Sequence, residues 1–239
     1  MAGKSPMMPL KPAPMFCHCR FAAAALVALA TPAFAMPPHP TFVDASILVP
    51  RLAVDMRYLG ANNFVGARID GYEKPLCYLT RPAAEALAKV QGDLASQGLG
   101  VKVFDCYRPT RAVAHFMRWA RATGDIVMKT QFYPEEDKRH LFNKGYLASR
   151  SGHSRGSTVD LSLVTLTGRT ELDMGTPFDF FSKRSWPGDK GVSAEAQRNR
   201  KVLSDAMRKR GFLPHSKEWW HFTLAREPFP DTYFDFPVR

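Results

Sequence analysis

The stretch Ser151-Gly152-His153-Ser154-Arg155-Gly156-Ser157-Thr158-Val159-Asp160 constrains the chain more than any other. It is small and polar up to Ser157, with a glycine on each side of a histidine, and glycine reaches backbone conformations closed to other residues. From Val159 the pattern changes. Val159, Leu161 and Leu163 alternate with Asp160 and Ser162, a period of two that predicts a strand. Asp160 and Ser162 then share one face and the aliphatic residues the other. His153 is placed on a loop, and Asp160 on the strand that the loop feeds. A carboxylate inside an aliphatic strand needs a cation or hydrogen-bond donors. A metal ion meets that need, and so would an arginine such as Arg155.

Glu218-Trp219-Trp220-His221-Phe222 brings a second histidine with a glutamate three residues before it. Two His and one Asp form a three-ligand set that leaves a fourth position for water, the mark of a catalytic rather than a structural zinc site. The expected ligands are His153, Asp160 and His221, with Glu218 as general base. No HExxH motif occurs, so the ligands do not share a helical face. In an extended strand Glu218 and His221 would point opposite ways, so Glu218 is expected in the turn entering the strand. His215, close to Glu218, is an alternative ligand; His39, His115 and His140 are assigned no role. Amide hydrolysis also needs a donor for the oxyanion. Arg108, in Asp105-Cys106-Tyr107-Arg108-Pro109 at a strand end, is the candidate, against the plainer reading of a surface arginine at a helix start.

The N-terminus reads as a targeting signal. Lys4, Lys11 and Arg20 precede an apolar run of ten residues, Phe21 to Ala30, and no acid occurs before Asp44. The run is too short to span a bilayer, and Ala33-Phe34-Ala35 gives the small-x-small pattern of a secretory cleavage site. Residues 1–35 are expected to be removed, leaving one domain over 36–239 with no stable membrane insertion. The net charge of +11 is scattered apart from a cluster over 198–210, and no nucleic-acid motif is present, so a nucleic-acid partner is not expected. Removal of the signal leaves two of four cysteines, Cys77 and Cys106. In an exported chain these pair as a disulfide or stay as two buried thiols.

Helices are predicted from an N-cap at Thr80 with Pro82 in the first turn, from Thr110 to Thr123, and from Ser193 to Gly211 with Val202, Leu203, Ala206 and Met207 as the apolar face. Strands are predicted over Val101–Tyr107 and Trp219–Leu224, and short ones within 41–79. Residues 125–150 and 167–192 read as long functional loops. Irregular alternation of strands and helices predicts an α+β fold.

The two motif stretches resemble the SxHxxGxAxD and ExWH motifs of the D-alanyl-D-alanine dipeptidases of the vancomycin-resistance type, departing in the Ser157–Val159 stretch, where the pattern carries Ala. Asp55-Met56-Arg57-Tyr58, Asn63-Phe64, Asp70-Gly71-Tyr72, Asp105 to Pro109 and Asp173 to Asp179 resemble further segments of that family in order. The resemblance implies a single compact α+β domain with a small antiparallel sheet and flanking helices, a fold shared with zinc D,D-carboxypeptidases and the hedgehog signalling domain. It implies one Zn2+ on the sheet and hydrolysis of D-Ala-D-Ala to two D-alanines, with Glu218 and Arg108 catalytic. Ser151, Asp179 and Tyr58 fall where the family lines its substrate pocket. The resistance enzymes are cytoplasmic, so an exported relative is expected in the periplasm, salvaging D-alanine from wall fragments. The competing readings are a D,D-carboxypeptidase or endopeptidase on wall peptides and a non-catalytic zinc-binding wall module.

Overall fold

Val159, Leu161 and Leu163 alternate with Asp160 and Ser162 on a strand that runs Thr158–Thr165, and the rest of the architecture is arranged on its two sides. The computed structural model describes residues 1–3 and 39–239. The expected signal and its cleavage site, apart from the first three residues, lie outside the described residues. Among the described residues, every strand and helix belongs to the unit Ala35–Arg239. Among the described residues no helix is long and apolar enough to cross a membrane.

In chain order the elements are β1 (Phe42–Asp44), α1 (Ala45–Leu48), β2 (Ala53–Val54), β3 (Tyr78–Thr80), α2 (Arg81–Ala95), β4 (Leu99–Asp105), α3 (Thr110–Arg121), α4 (Lys129–Phe132), β5 (Thr158–Thr165), α5 (Ala194–Lys209), β6 (Phe212–Pro214) and β7 (His221–Leu224). Five strands form one sheet in the order β2-β4-β5-β7-β6. All neighbours are antiparallel except β2 and β4, a parallel pair at one edge. β1 and β3 form a separate antiparallel pair. The fold is α+β.

Helices α2 and α5 pack on each other and on the sheet. On α2 the buried residues are Ala83, Ala84, Leu87, Val90, Gln91 and Leu94, the stripe of an amphipathic helix facing a core. Thr80 stands at its N-cap, but the hydroxyl spans to Ser157 Oγ at 2.8 Å instead of capping the helix. Ser193 does cap α5, accepting from the Ala196 N–H at 3.0 Å. The buried stripe of α5 is Ala196, Arg200, Leu203 and Met207. Val202 and Ala206, predicted on that face, are only half-buried.

Cys77 and Cys106 are joined by a disulfide that closes a sequence separation of 29 residues. A loop of that size removes about 3–4 kcal/mol of unfolded-state entropy in the chain-entropy account.

Candidate metal centre and active site

The register of the sheet assembles the site. Asp105 of β4 lies opposite Asp160 of β5, and Asp160 opposite His221 of β7. Residues directly opposite in antiparallel strands project to the same face, so the three form a row across the sheet. His153 reaches the row from a 3-10 turn, Gly152–Arg155, whose capping residue Ser151 accepts from the His153 N–H at 3.3 Å. The turn ends at Gly156, with φ +80°, where a Cβ would stand 2.2 Å from the Phe42 ring. Both the left-handed backbone and the close ring demand glycine.

His153 Nε2 stands 3.2 Å from Asp160 Oδ2, His221 Nδ1 3.0 Å from Asp160 Oδ1, and the two ring nitrogens 3.3 Å apart. Among the described residues this trio is the His, Cys, Asp or Glu group whose ligand atoms come together closely enough to hold an ion. Ligands about 2.0–2.1 Å from a tetrahedral ion sit roughly 3.3 Å from one another, so the spacing fits a divalent cation. Asp160 Oδ1 is buried with no aligned hydrogen bond, although His221 Nδ1 stands 3.0 Å away; a cation shared by the two removes that cost. His153 Nδ1 meets the carbonyl oxygen of Cys106 at 2.7 Å; as the donor in that bond it leaves the Nε2 lone pair facing the trio. Burial raises the Asp160 pKa, but the two imidazoles outweigh it and hold the group well below the usual carboxylate range. Arg155 is not its partner: it forms two 2.8 Å bonds to Glu227.

Glu218 lies in the turn before β7, where the His221 N–H donates to its carbonyl at 3.3 Å. That turn brings Oε2 to 3.5 Å from His221 Nδ1, the local reversal expected from the sequence. Burial, then the charge of Asp160, pushes the Glu218 pKa up to about 8. His215 Nδ1 is 3.9 Å from Glu218 Oε2, and its pKa is lowered to about 4 by burial and by His221. It lines the cleft but stands outside the ligand trio.

Arg108 is half-buried against the Tyr58 and Phe116 rings, its guanidinium carbon 5.0 and 5.2 Å from their centroids. Asp105 Oδ2 accepts from its Nε at 2.9 Å and from Nη2 at 2.8 Å, and Nη2 lies 3.6 Å from Asp160 Oδ2. Asp105 also accepts from the Tyr72 hydroxyl at 2.6 Å and lies 3.5 Å from His153 Nδ1. Sequence reasoning passed over Asp105; an acid closing the apolar strand Val101-Lys102-Val103-Phe104 was the available signal.

The cleft over the trio has a volume of about 260 Å³, and every catalytic, metal and substrate residue read from the sequence lines it. Asp179 has a left-handed backbone, φ +60°, and accepts from the Tyr58 hydroxyl at 2.8 Å. Burial, then the charge of Asp160, raises its pKa well above the ordinary value. Residues 145–148 and Phe181, from the two predicted loops, supply walls. Neither Cys77 nor Cys106 lines the cleft.

The family profile described as Peptidase_M15, D-ala-D-ala dipeptidase, matches residues 39–239. A D-alanyl-D-alanine dipeptidase of Enterococcus faecium is 41% identical over 199 residues, 83% of this chain and 98% of that protein. One from Enterococcus faecalis is 44% identical over 185 residues, 77% of this chain and 91% of that protein. A solved variant of the vancomycin-resistance D,D-pentapeptidase VanY, in complex with Zn(II), aligns at a TM-score of 0.39 and 13% identity, over 74% of this chain and 88% of that one.

Proposed function

The chain belongs to the M15 peptidase family of D-Ala-D-Ala dipeptidases, and on that premise we propose that it hydrolyses D-Ala-D-Ala to two D-alanines at a zinc centre held by His153, Asp160 and His221. The observation that carries this reading is the meeting of His153, Asp160 and His221, whose ring nitrogens and carboxylate oxygens stand 3.0–3.3 Å apart, beside the glutamate at the strand entry. Zinc held by this set supplies Lewis acidity and lowers the pKa of bound solvent to roughly 7.

The chain's own groups do the rest. Glu218 takes the proton of the attacking water and passes it to the leaving amine. In the chain alone it keeps its proton up to about pH 8; a dication beside it favours the carboxylate, the form a base requires. Arg108 lines the cleft and is fixed by Asp105 and two rings, so the N–H donors not used by Asp105 need little reorganisation when negative charge grows on the substrate carbonyl. Asp179, oriented by Tyr58, is a buried carboxyl that forms no ion pair among the described residues, and the free ammonium of a dipeptide fills that need. Ser151 lines the wall that carries His153. The cleft is small beside ligand pockets of about 300–1,000 Å³, which favours a dipeptide over a longer wall peptide.

Export to the periplasm is part of the proposal, supported by the charged and apolar N-terminal pattern and by the disulfide. The role proposed there is salvage of D-alanine from wall fragments. A deletion strain that grows on D-Ala-D-Ala as well as its parent would count against salvage. Metal analysis of the purified protein, coupled to assays on D-Ala-D-Ala, L-Ala-L-Ala and a longer D,D-peptide, tests the activity. One zinc per chain and preferential cleavage of D-Ala-D-Ala are expected; faster cleavage of the longer peptide overturns the dipeptidase reading.

A further inference from the structure

We infer that the Cys77–Cys106 disulfide is a positioning group for the metal centre, so that the oxidised chain holds zinc more tightly than the reduced one. The inference rests on the zinc-dipeptidase reading of the same site.

Cys106 joins two features in one residue. Its sulfur is bonded to Cys77, and its carbonyl oxygen is the partner of His153 Nδ1 at 2.7 Å. That hydrogen bond selects the tautomer and the tilt of a ring whose other nitrogen faces Asp160 and His221. Asp105 is the last residue of β4 paired with β5. Cys106 is the first residue past that ladder, so the five-stranded sheet does not hold its carbonyl; the peptide that carries it is held instead by the Tyr107 N–H bond to Tyr78, the residue after Cys77.

What surrounds it is a frame of three short segments. The Arg108 N–H donates to the His153 carbonyl at 3.3 Å, and the Tyr107 N–H to the Tyr78 carbonyl at 2.9 Å. The Thr80 N–H donates to the Gly156 carbonyl at 2.7 Å, and the Thr80 and Ser157 hydroxyls are 2.8 Å apart. Strand β3 therefore lies between the segment that carries Arg108 and the segment that carries His153, bonded to both. It pairs with β1 and not with the five-stranded sheet. The disulfide is the covalent tie between this bridge and the carbonyl that orients His153.

Both sulfurs are buried, so breaking the bond changes internal packing rather than surface. With a water-soluble phosphine as reductant, phosphorus attacks one sulfur and the S–S bond breaks. Its electron pair goes to the sulfurs, and water supplies the oxygen of the phosphine oxide and the two thiol protons. The thiols then separate to van der Waals contact, and the Cys106 carbonyl shifts with its side chain. The acceptor atom itself is untouched, in the reduced protein and in Cys77→Ala/Cys106→Ala alike. In the double variant, which adds no thiol that could bind zinc, a change in metal binding reports placement, not a lost or gained ligand.

The test uses the full chain and zinc, with affinity read by competition against a chromophoric chelator. Cys77→Ala/Cys106→Ala is expected to bind zinc about 10- to 100-fold more weakly, the range for lost orientation of a ligating histidine. Excess zinc is expected to restore most of kcat, and the cobalt-substituted protein to show a shifted d–d spectrum. Leu203→Ala, a buried α5 position outside the cleft, is the control: it loses thermal stability and keeps its zinc affinity. Should the double variant fail to fold, the same titration is made on wild type whose Cys77 and Cys106 are shown to be thiols by alkylation and mass spectrometry, then repeated after reoxidation. Zinc affinity equal to that of oxidised wild type, in the double variant or in the reduced protein, overturns the inference. Oxidised wild type that binds no zinc, or binds it and leaves D-Ala-D-Ala intact, overturns the underlying zinc-dipeptidase reading instead.

Discussion

Asp160 and Asp179 are two buried carboxylates that line the same cleft, and the chain holds them by different means. Asp160 sits in the middle strand of a three-strand ladder, paired with Asp105 on one side and His221 on the other. Asp179 sits on a long loop with a left-handed backbone and is held by the Tyr58 hydroxyl. That loop is anchored from outside by Arg200 of α5, which donates to the carbonyls of Met174, Trp186 and Arg184 at 2.7–2.9 Å. Groups that must keep sub-ångström geometry belong on rigid elements; groups that choose a substrate can sit on loops positioned by a scaffold. The contrast implies that changes along the strand row act on the metal and on kcat, while changes on the loop act on KM and selectivity.

The largest effect expected on the sheet side comes from Glu218→Gln. Loss of a general base lowers kcat by about 10²–10⁴-fold, and the zinc content stays at one per chain because Glu218 is not in the ligand trio. A variant with full kcat breaks the assignment; one that loses zinc moves Glu218 into the ligand set. Arg108→Ala is expected to cost about 10²–10³-fold in kcat, as for removal of one oxyanion donor. It also leaves Asp105 buried without its cation, so thermal stability should fall alongside. Arg108→Lys separates the two effects, since it keeps the charge and loses the paired N–H geometry.

The sheet side was more legible in the sequence than the loop side, and the reason is range. Asp160 announces itself by breaking an aliphatic alternation, and Glu218 and His221 by a three-residue spacing at a strand entry; both signals are local. Asp105 acquires its role from a register between β4 and β5, a pairing of residues 55 positions apart in sequence, numbered 105 and 160. Arg200 reads in sequence as a polar residue of a helix. Its burial follows from a stripe one position round from the predicted one, and from a loop that returns three carbonyls to it. The parallel pairing of β2 with β4 rests on a two-residue strand, too short for any periodicity to mark.

On the loop side Asp179→Asn is expected to raise KM for D-Ala-D-Ala by roughly 10- to 100-fold while kcat changes less. A charge-assisted hydrogen bond to an ammonium contributes about 1.5–3 kcal/mol, and the amide keeps the shape. Arg200→Leu sharpens the comparison from a distance. It touches nothing in the cleft, so a smaller rise in KM with unchanged zinc affinity would show that the loop's anchorage, rather than the row, sets substrate binding. A loss of zinc in Arg200→Leu would erase the division between the two regions.

The smallest effect is a proton count. Burial and Asp160 raise Glu218 from 4.5 to about 8 in the chain alone. The folded state therefore keeps a proton, between those two values, that the unfolded chain has released. For this group the metal-free fold loses stability as pH rises through that window. Zinc reverses the preference, because a dication at the trio stabilises the carboxylate. Binding below about pH 8 then expels the Glu218 proton, and zinc affinity gains about tenfold per pH unit from this group. His215, with its pKa lowered to about 4, is neutral across the window and adds no proton of its own. Other protons released on binding are common to wild type and Glu218→Gln and cancel in the difference. The logarithm of zinc affinity against pH should therefore be shallower by about one in Glu218→Gln below pH 8, and the two slopes should meet above it. Equal slopes throughout would mean that Glu218 does not feel the charge at the row, and that the base and the metal site are electrostatically separate.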